Sequence, residues 1–220
     1  MECTDEIKSD VVEALSRDGR VHSARITVVV ENGSVILSGD APTLYTIQTA
    51  MEVAACVQGV HSVHSELRVS RPPAGPSDAA IRNYAEQILR WNASISAGRI
   101  GVRVDAGVLT LEGEVDAYWK RSRAKLLMLD IEGIVAVINQ LAVVPELVPQ
   151  DQVIAEDVKF AIERRTCRQQ DSITVEVSQG LVTLTGHVPS LWSKHNTPHL
   201  VESILGVKGV IDNLVVAERD

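Results

Sequence analysis

The sequence predicts an α+β protein built of three tandem α-β-β-α-β two-layer sandwich domains. A glycine-bracketed strand occurs three times, as Gly33-Ser-Val-Ile-Leu-Ser-Gly39, Gly107-Val-Leu-Thr-Leu-Glu-Gly113 and Gly180-Leu-Val-Thr-Leu-Thr-Gly186. Offsets of 74 and then 73 residues align the copies without a gap, from Ile7, Ile81 and Ile154 to Val69, Val143 and Val216. Aromatic residues make up only 3% of the 220, so the core must be filled by Val, Ile, Leu and Ala, which suits thin two-layer units.

Each unit opens with a helix. Ile7, Val11, Ala14 and Leu15 recur as Ile81, Ala85, Ile88 and Leu89 and again as Ile154, Val158, Ala161 and Ile162, one apolar stripe on a 3.6-residue period. Thr4, Ser77 or Asp78, and Asp151 stand where an N-cap is wanted. A strand of period two follows, carried by Ile26, Val28 and Val30, by Ile100, Val102 and Val104, and by Ile173, Val175 and Val177. The turns Glu31-Asn32-Gly33, Asp105-Ala106-Gly107 and Ser178-Gln179-Gly180 reverse the chain, so the bracketed strand pairs back as a hairpin. Its buried residues are expected to be Val35 and Leu37, Leu109 and Leu111, and Val182 and Leu184.

A second helix is expected over 43–57, 117–131 and 190–204, with Pro198 kinking or shortening the third copy because proline lacks the amide donor. Gly59, Gly133 and Gly206 then read as left-handed caps at the helix ends, before closing strands that reach Val69, Val143 and Val216. A hairpin plus a helical crossover gives a three-stranded sheet with both helices on its apolar face. The joins Arg71-Pro-Pro-Ala-Gly-Pro76 and Val144-Pro-Glu-Leu-Val-Pro149 are short semi-rigid spacers, giving domains over 1–71, 77–145 and 150–220. The structural glycines are Gly33, Gly39 and Gly59, Gly107, Gly113 and Gly133, and Gly180, Gly186 and Gly206.

The pattern resembles the BON domain of bacterial osmotically inducible and nodulation-type proteins, also called the transport-associated domain. The carrying residues are the G-x5-G strand and, after it, Gly59, Val60, Val63, Ser65, Leu67 and Val69. They recur as Gly133, Ile134, Val137, Asn139, Leu141 and Val143, and as Gly206, Val207, Val210, Asp212, Leu214 and Val216. The resemblance implies a domain that binds phospholipid surfaces or mediates contacts at the cell envelope. Many members are envelope proteins with two copies; three copies and the lack of a leader make this chain similar to the cytoplasmic three-copy members. One relative joins the domain to a second module and binds potassium, and that module is missing from this sequence.

Composition narrows the partners. A formal net charge of -8 opposes non-specific binding to nucleic acid or to an anionic membrane, so any anion contact must be local. No basic segment followed by an apolar run opens the sequence and no stretch reaches the length of a membrane span. A cytoplasmic location is therefore expected, or a periplasmic one had a leader been removed. Cys3, Cys56 and Cys167 are an odd number at unlike positions and read as reduced thiols.

Catalytic and metal chemistry find no footing. There is no nucleophile elbow, phosphate loop or dinucleotide fingerprint, and each glycine pair brackets a strand instead of opening a helix. His195 and His199 are four apart on a helix but Pro198 lies between them and no further ligand has suitable spacing; His61 and His64 face opposite sides of a strand. No enzyme activity, metal or cofactor is expected.

The departure from uniformity lies in the second copy. Tyr118-Trp-Lys-Arg-Ser-Arg-Ala-Lys125 sets two aromatics beside Lys120, Arg121, Arg123 and Lys125 at the start of a helix. Residues 73–146 carry eight cations against nine carboxylates, whereas 1–72 carry six against ten. Aromatic and basic residues together at a helix edge suit an anionic headgroup layer. Against this, Tyr45, Trp119 and Trp192 are repeat-equivalent, and a recurrent large apolar residue is ordinarily packing. The cations are not shared by all copies, since the first copy has Thr46, Ile47, Thr49 and Met51 there. Trp91, after the first helix of this copy, is a second candidate anchor. The leading expectation is a non-enzymatic, stress-related interaction protein that docks phospholipid headgroups or a protein partner through Trp91, Tyr118, Trp119, Lys120, Arg121, Arg123 and Lys125. The alternatives are a structural module that assembles into an oligomer, and a small-ligand or ion sensor.

Overall fold

In the computed structural model, which describes residues 2–22, 24–70, 75–95, 97–165 and 173–217, the order α-β-β-α-β runs three times. The first repeat is α1 (Glu2–Arg17), β1 (Arg25–Glu31), β2 (Ser34–Ala41), α2 (Leu44–Ala55) and β3 (Ser62–Val69). The second is α3 (Asp78–Trp91), a short 3-10 turn (Ala97–Arg99), β4 (Ile100–Asp105), β5 (Val108–Val115), α4 (Tyr118–Leu129) and β6 (Ala136–Val143). The third is α5 (Asp151–Arg165), β7 (Ile173–Ser178), β8 (Leu181–Val188), α6 (Leu191–Val201) and β9 (Gly209–Val216). Residues 71–74 of the first join, Cys167, and the last three residues of the third expected domain lie outside the described residues.

Each repeat makes its own three-stranded sheet with the glycine-bracketed strand in the middle, in the orders β1-β2-β3, β4-β5-β6 and β7-β8-β9. In the first and third sheets the hairpin pair is antiparallel and the crossover pair parallel. Val28 stands opposite Leu37 and Val30 opposite Val35 on one face, and Val175 opposite Leu184 on the equivalent face of the third sheet. The residues expected to be buried on the central strands are all fully buried, as are Val11, Ala85, Ile154 and Val158 from the first helices. In the third repeat one cluster joins Ile154, Val158 and Ile162 of α5 to Val182 and Leu184 of β8 and Val201 of α6. Burial of a Val, Leu or Ile side chain contributes about 1.5–3 kcal/mol, so such clusters hold each sheet to its two helices.

The hairpin turns are two-residue turns whose central residues both have positive φ, at Asn32 and Gly33, Ala106 and Gly107, and Gln179 and Gly180. Asn suits that geometry, whereas Ala and Gln do not. In the second and third repeats an aspartate compensates. Asp78 accepts hydrogen bonds from the amides of Ala106 (2.7 Å) and Gly107 (3.1 Å), and Asp151 from those of Gln179 (2.8 Å) and Gly180 (2.9 Å). The equivalent residue of the first repeat is Thr4, and that repeat's turn already has Asn32.

Several local expectations are corrected. Thr4 lies inside α1 and is not its N-cap, and Asp151 is the first residue of α5 with its carboxylate spent on the hairpin turn. Ser77 is the N-cap of α3, accepting from the Ala80 amide at 3.3 Å. Gly59, with the C-cap of α2 already at Cys56, sits in the following turn and is not the helix cap. Gly39 stands within β2, opposite Ile26, and not at its end. Its φ of +126° and the place its Cβ would take, overlapping the Arg25 carbonyl oxygen, explain why the position is glycine. Helix α6 runs through Pro198 and is 11 residues long against 12 in α2 and α4, so the proline shortens it by a single residue and leaves it unbroken.

The chain divides into two units, residues 1–112 with 124–140, and residues 113–123 with 141–220. The division falls inside the second repeat, and Tyr118 shows why: the first residue of α4 packs against the buried cluster of the third repeat. Two outcomes follow. Gly39→Ala should destabilise the first repeat by roughly 2–4 kcal/mol in urea denaturation, through strain and overlap together. Tyr118→Ala should lower the stability of the third repeat by about 1–3 kcal/mol although it lies in the second, read from the amide exchange of β8.

Candidate functional site

Helix α4 begins differently from its two counterparts. Thr43 and Ser190 cap α2 and α6 by accepting from the amides of Thr46 and Ser193, each at 3.2 Å. The equivalent residue before α4 is Ala117, whose carbonyl receives the amides of Lys120 and Arg121 but which has no hydroxyl to offer. No acidic residue lies in the first turn of α4, and four cations follow within its first two turns. Lys120 and Arg121 lie in the first turn, where a cation at the positive end of the helix dipole costs roughly 0.3–1 kcal/mol; Arg123 and Lys125 lie beyond it.

The four cations have different surroundings. Lys120 is only 17% exposed and its ammonium meets the Asp116 carboxylate at 2.7 Å, with the Trp119 ring centroid 5.6 Å away. The Arg121 guanidinium stands 6.0 Å from the Tyr118 ring centroid and is half-buried. Arg123 and Lys125 are exposed. At roughly 100° per residue, Trp119 and Leu126 fall on the arc opposite the buried Ala124, with Arg123 on one flank and Lys125 on the other. Leu126 is exposed at 36% and Trp119 is half-buried.

Of the expected residues, then, the structure gathers Trp119 and Arg123 along the outward arc of one helix, leaves Lys125 exposed about 160° away from Arg123 around that helix, commits Tyr118 to packing and pairs Lys120 with Asp116. Trp91 ends α3 and is 73% exposed. Leu126 and Asp116 belong to the site's anatomy but were not singled out by sequence reasoning. Asp116 stands in the bend before α4 and Lys120 in its first turn, so the pair ties the entry of the chain to the helix.

Elsewhere, a shallow cleft of about 390 Å³ in the third repeat is lined by Ala161, Arg164, His199, Leu200 and Ser203. His199 Nδ1 lies 3.3 Å from Glu202, and the Arg164 guanidinium stands over the Phe160 ring at 5.6 Å. Among the described residues no group of three His, Cys, Asp or Glu converges to hold a metal, and no helix is long and apolar enough to cross a membrane.

Comparison with known proteins places these observations in a family. The chain is 28% identical to the 21 kDa hemolysin of Actinobacillus pleuropneumoniae over 142 residues, covering 61% of this chain and 73% of that protein. It is 27% identical over 140 residues to the osmotically-inducible protein Y of Escherichia coli (strain K12), covering 61% of this chain and 70% of the relative. Solved structures of CdsD, a structural protein of the type III secretion system of Chlamydia trachomatis, align over 98% of this chain and 94% of theirs at 14% identity, with a TM-score of 0.29. The PrgH periplasmic domain aligns over 91% of this chain and 98% of its own at 9% identity and a TM-score of 0.22; neither likeness is close enough to argue from. The BON domain matches residues 4–71, 77–145 and 150–218, nearly the whole chain, and the protein belongs to the BON domain family with three copies in tandem.

Proposed function

We propose that this BON protein is a non-enzymatic docking protein whose second repeat carries the contact, with α4 laid against an anionic phospholipid surface. One observation carries the reading. The outward arc of α4 presents Trp119, Arg123 and Leu126 together, with Lys125 exposed on the far flank of the helix, and Arg123 and Lys125 are peculiar to this repeat. The first and third copies have Thr49 and Asn196 for Arg123, and Met51 and Pro198 for Lys125. Asp116 answers Lys120 at this helix start, but no carboxylate is paired there with Arg123 or Lys125 among the ion pairs of the described residues.

The repeated fold supports the same reading, because it holds α4 rigidly by Ala124 and Met128, both fully buried, and so fixes which residues face outward. The name hemolysin borne by one relative is in keeping with a lipid target, and osmotic induction in the name of the other with a role under stress. The net charge of -8 makes the approach to an anionic surface unfavourable except at the patch, so binding is local, weak and steeply dependent on salt.

Co-sedimentation with vesicles tests the proposal. The protein should be retained by vesicles rich in phosphatidylglycerol and not by phosphatidylcholine vesicles. Arg123→Glu with Lys125→Glu should weaken retention about tenfold or more, given about 1 kcal/mol per basic residue near such a surface. Asp116→Asn, which releases Lys120, should strengthen it. Equal retention on neutral and anionic vesicles would remove the lipid reading.

A further inference from the structure

The closing strand of each repeat is an edge strand, and two of the three carry the same device along that edge. β3, β6 and β9 each stand last in their sheets, beside the glycine-bracketed strand. Just past β9 the amide of Ala217 donates to the Val188 carbonyl of β8 at 2.8 Å, and just past β3 the amide of Ser70 donates to that of Ala41 at 2.8 Å. Backbone amides alternate in direction along a strand, so the amides of Leu214 and Leu67 point the other way, to the open edge. A row of such amides is a template for a strand of another chain.

In both strands that amide is taken by a side chain two residues earlier. The Asp212 carboxylate accepts from the Leu214 amide at 2.9 Å, and the Ser65 hydroxyl from the Leu67 amide at 3.3 Å. The residues at these places in β6 are Asn139 and Leu141. Ser65, Asn139 and Asp212 share one property, a short side chain whose oxygen can accept from the amide two positions on. The strand pattern by itself asks for something else there. The flanking positions on the same face are Val63 and Leu67, Val137 and Leu141, and Val210 and Leu214, so a polar residue interrupts an apolar row.

The device matters most in the third repeat. β9, Gly209-Val-Ile-Asp-Asn-Leu-Val-Val216, holds no lysine, arginine or proline, and Asp212 is its only charged residue. On its other face Ile211 and Val215 are 41% and 56% exposed, where β3 has His64 and Arg68. A nearly uncharged edge rich in β-branched residues is the composition that pairs with copies of itself. A strand laid along β9 would have to pull the exposed Asp212 carboxylate off the Leu214 amide and take it out of water.

We propose that Asp212 closes the β9 edge to a further strand, and that without its carboxylate β9 pairs with β9 of a second copy of this chain. That pairing is two-fold and antiparallel, and it involves no residue of α4.

Sedimentation velocity and amide exchange test this together. Asp212→Val should raise the average mass above that of the unmodified chain at the same concentration, towards a dimer of 23.9 kDa chains. Asp212→Asn, the side chain that the second repeat has at Asn139, keeps an accepting oxygen and should leave the mass unchanged. So should Asn213→Val, which adds an apolar side chain next door without releasing the amide. In dilute Asp212→Ala the Leu214 amide should exchange about tenfold faster, through loss of one hydrogen bond to a charged group, while the Asn213 amide, which faces β8, keeps its rate. An Asp212→Val protein of unchanged mass would overturn the proposal. So would a Leu214 amide indifferent to Asp212→Ala, or a rise in mass that Asp212→Asn or Asn213→Val matches.

Discussion

One contact, made three times, holds each repeat together: the first helix rests an isoleucine on the glycine that follows the second helix. A Cβ on Gly59 would stand 2.9 Å from Ile7 Cδ1, on Gly133 3.0 Å from Ile81 Cδ1, and on Gly206 2.9 Å from Ile154 Cδ1. The same corner receives the hairpin turn. The carbonyls of Gly33, Gly107 and Gly180 accept from the amides of His61 (2.8 Å), Val135 (2.9 Å) and Lys208 (2.8 Å). Hairpin turn, crossover turn and first helix thus converge at one end of the sheet, and the crossover strand can enter in only one register. A one-residue slip there would turn Val63 and Leu67 to the open face and empty the core.

Because the framework is the same in each copy, differences between copies can be read as separate choices. The turns illustrate how the framework tolerates exchange: Asn32 suits its own turn, while Ala106 and Gln179 lean on Asp78 and Asp151. The start of α4 illustrates the opposite case, in which stability is given up. Its counterparts have hydroxyl caps and lack its run of cations, and nothing in the framework requires Arg123 or Lys125. Residues that the framework does not require are good candidates for function.

The core was legible in the sequence because it is periodic. Val35 and Leu37, Ile81 and Leu89, and Val182 and Leu184 announce their burial by spacing alone, and repetition at a fixed offset confirms each spacing twice over. What the sequence hid were contacts between segments that no period connects. Asp78 and Asp151 looked like helix caps because that is what an aspartate before an apolar stripe usually does; their turn amides lie 28 and 29 residues away. Tyr118 looked like half of an exposed pair, and only the packing of the third repeat assigns it to a core. The basic patch was visible as composition, but that Lys120 is withdrawn from it depends on Asp116 in the bend before α4.

The convergence of the three turns is best tested by native-state hydrogen exchange at the amides of His61, Val135 and Lys208. If these corners hold the repeats together, the three amides exchange as slowly as those of the central strands and lose protection only when their own repeat unfolds. Exchange at the rate of the exposed linker around Leu147 and Val148, with the central strands still protected, would contradict the account.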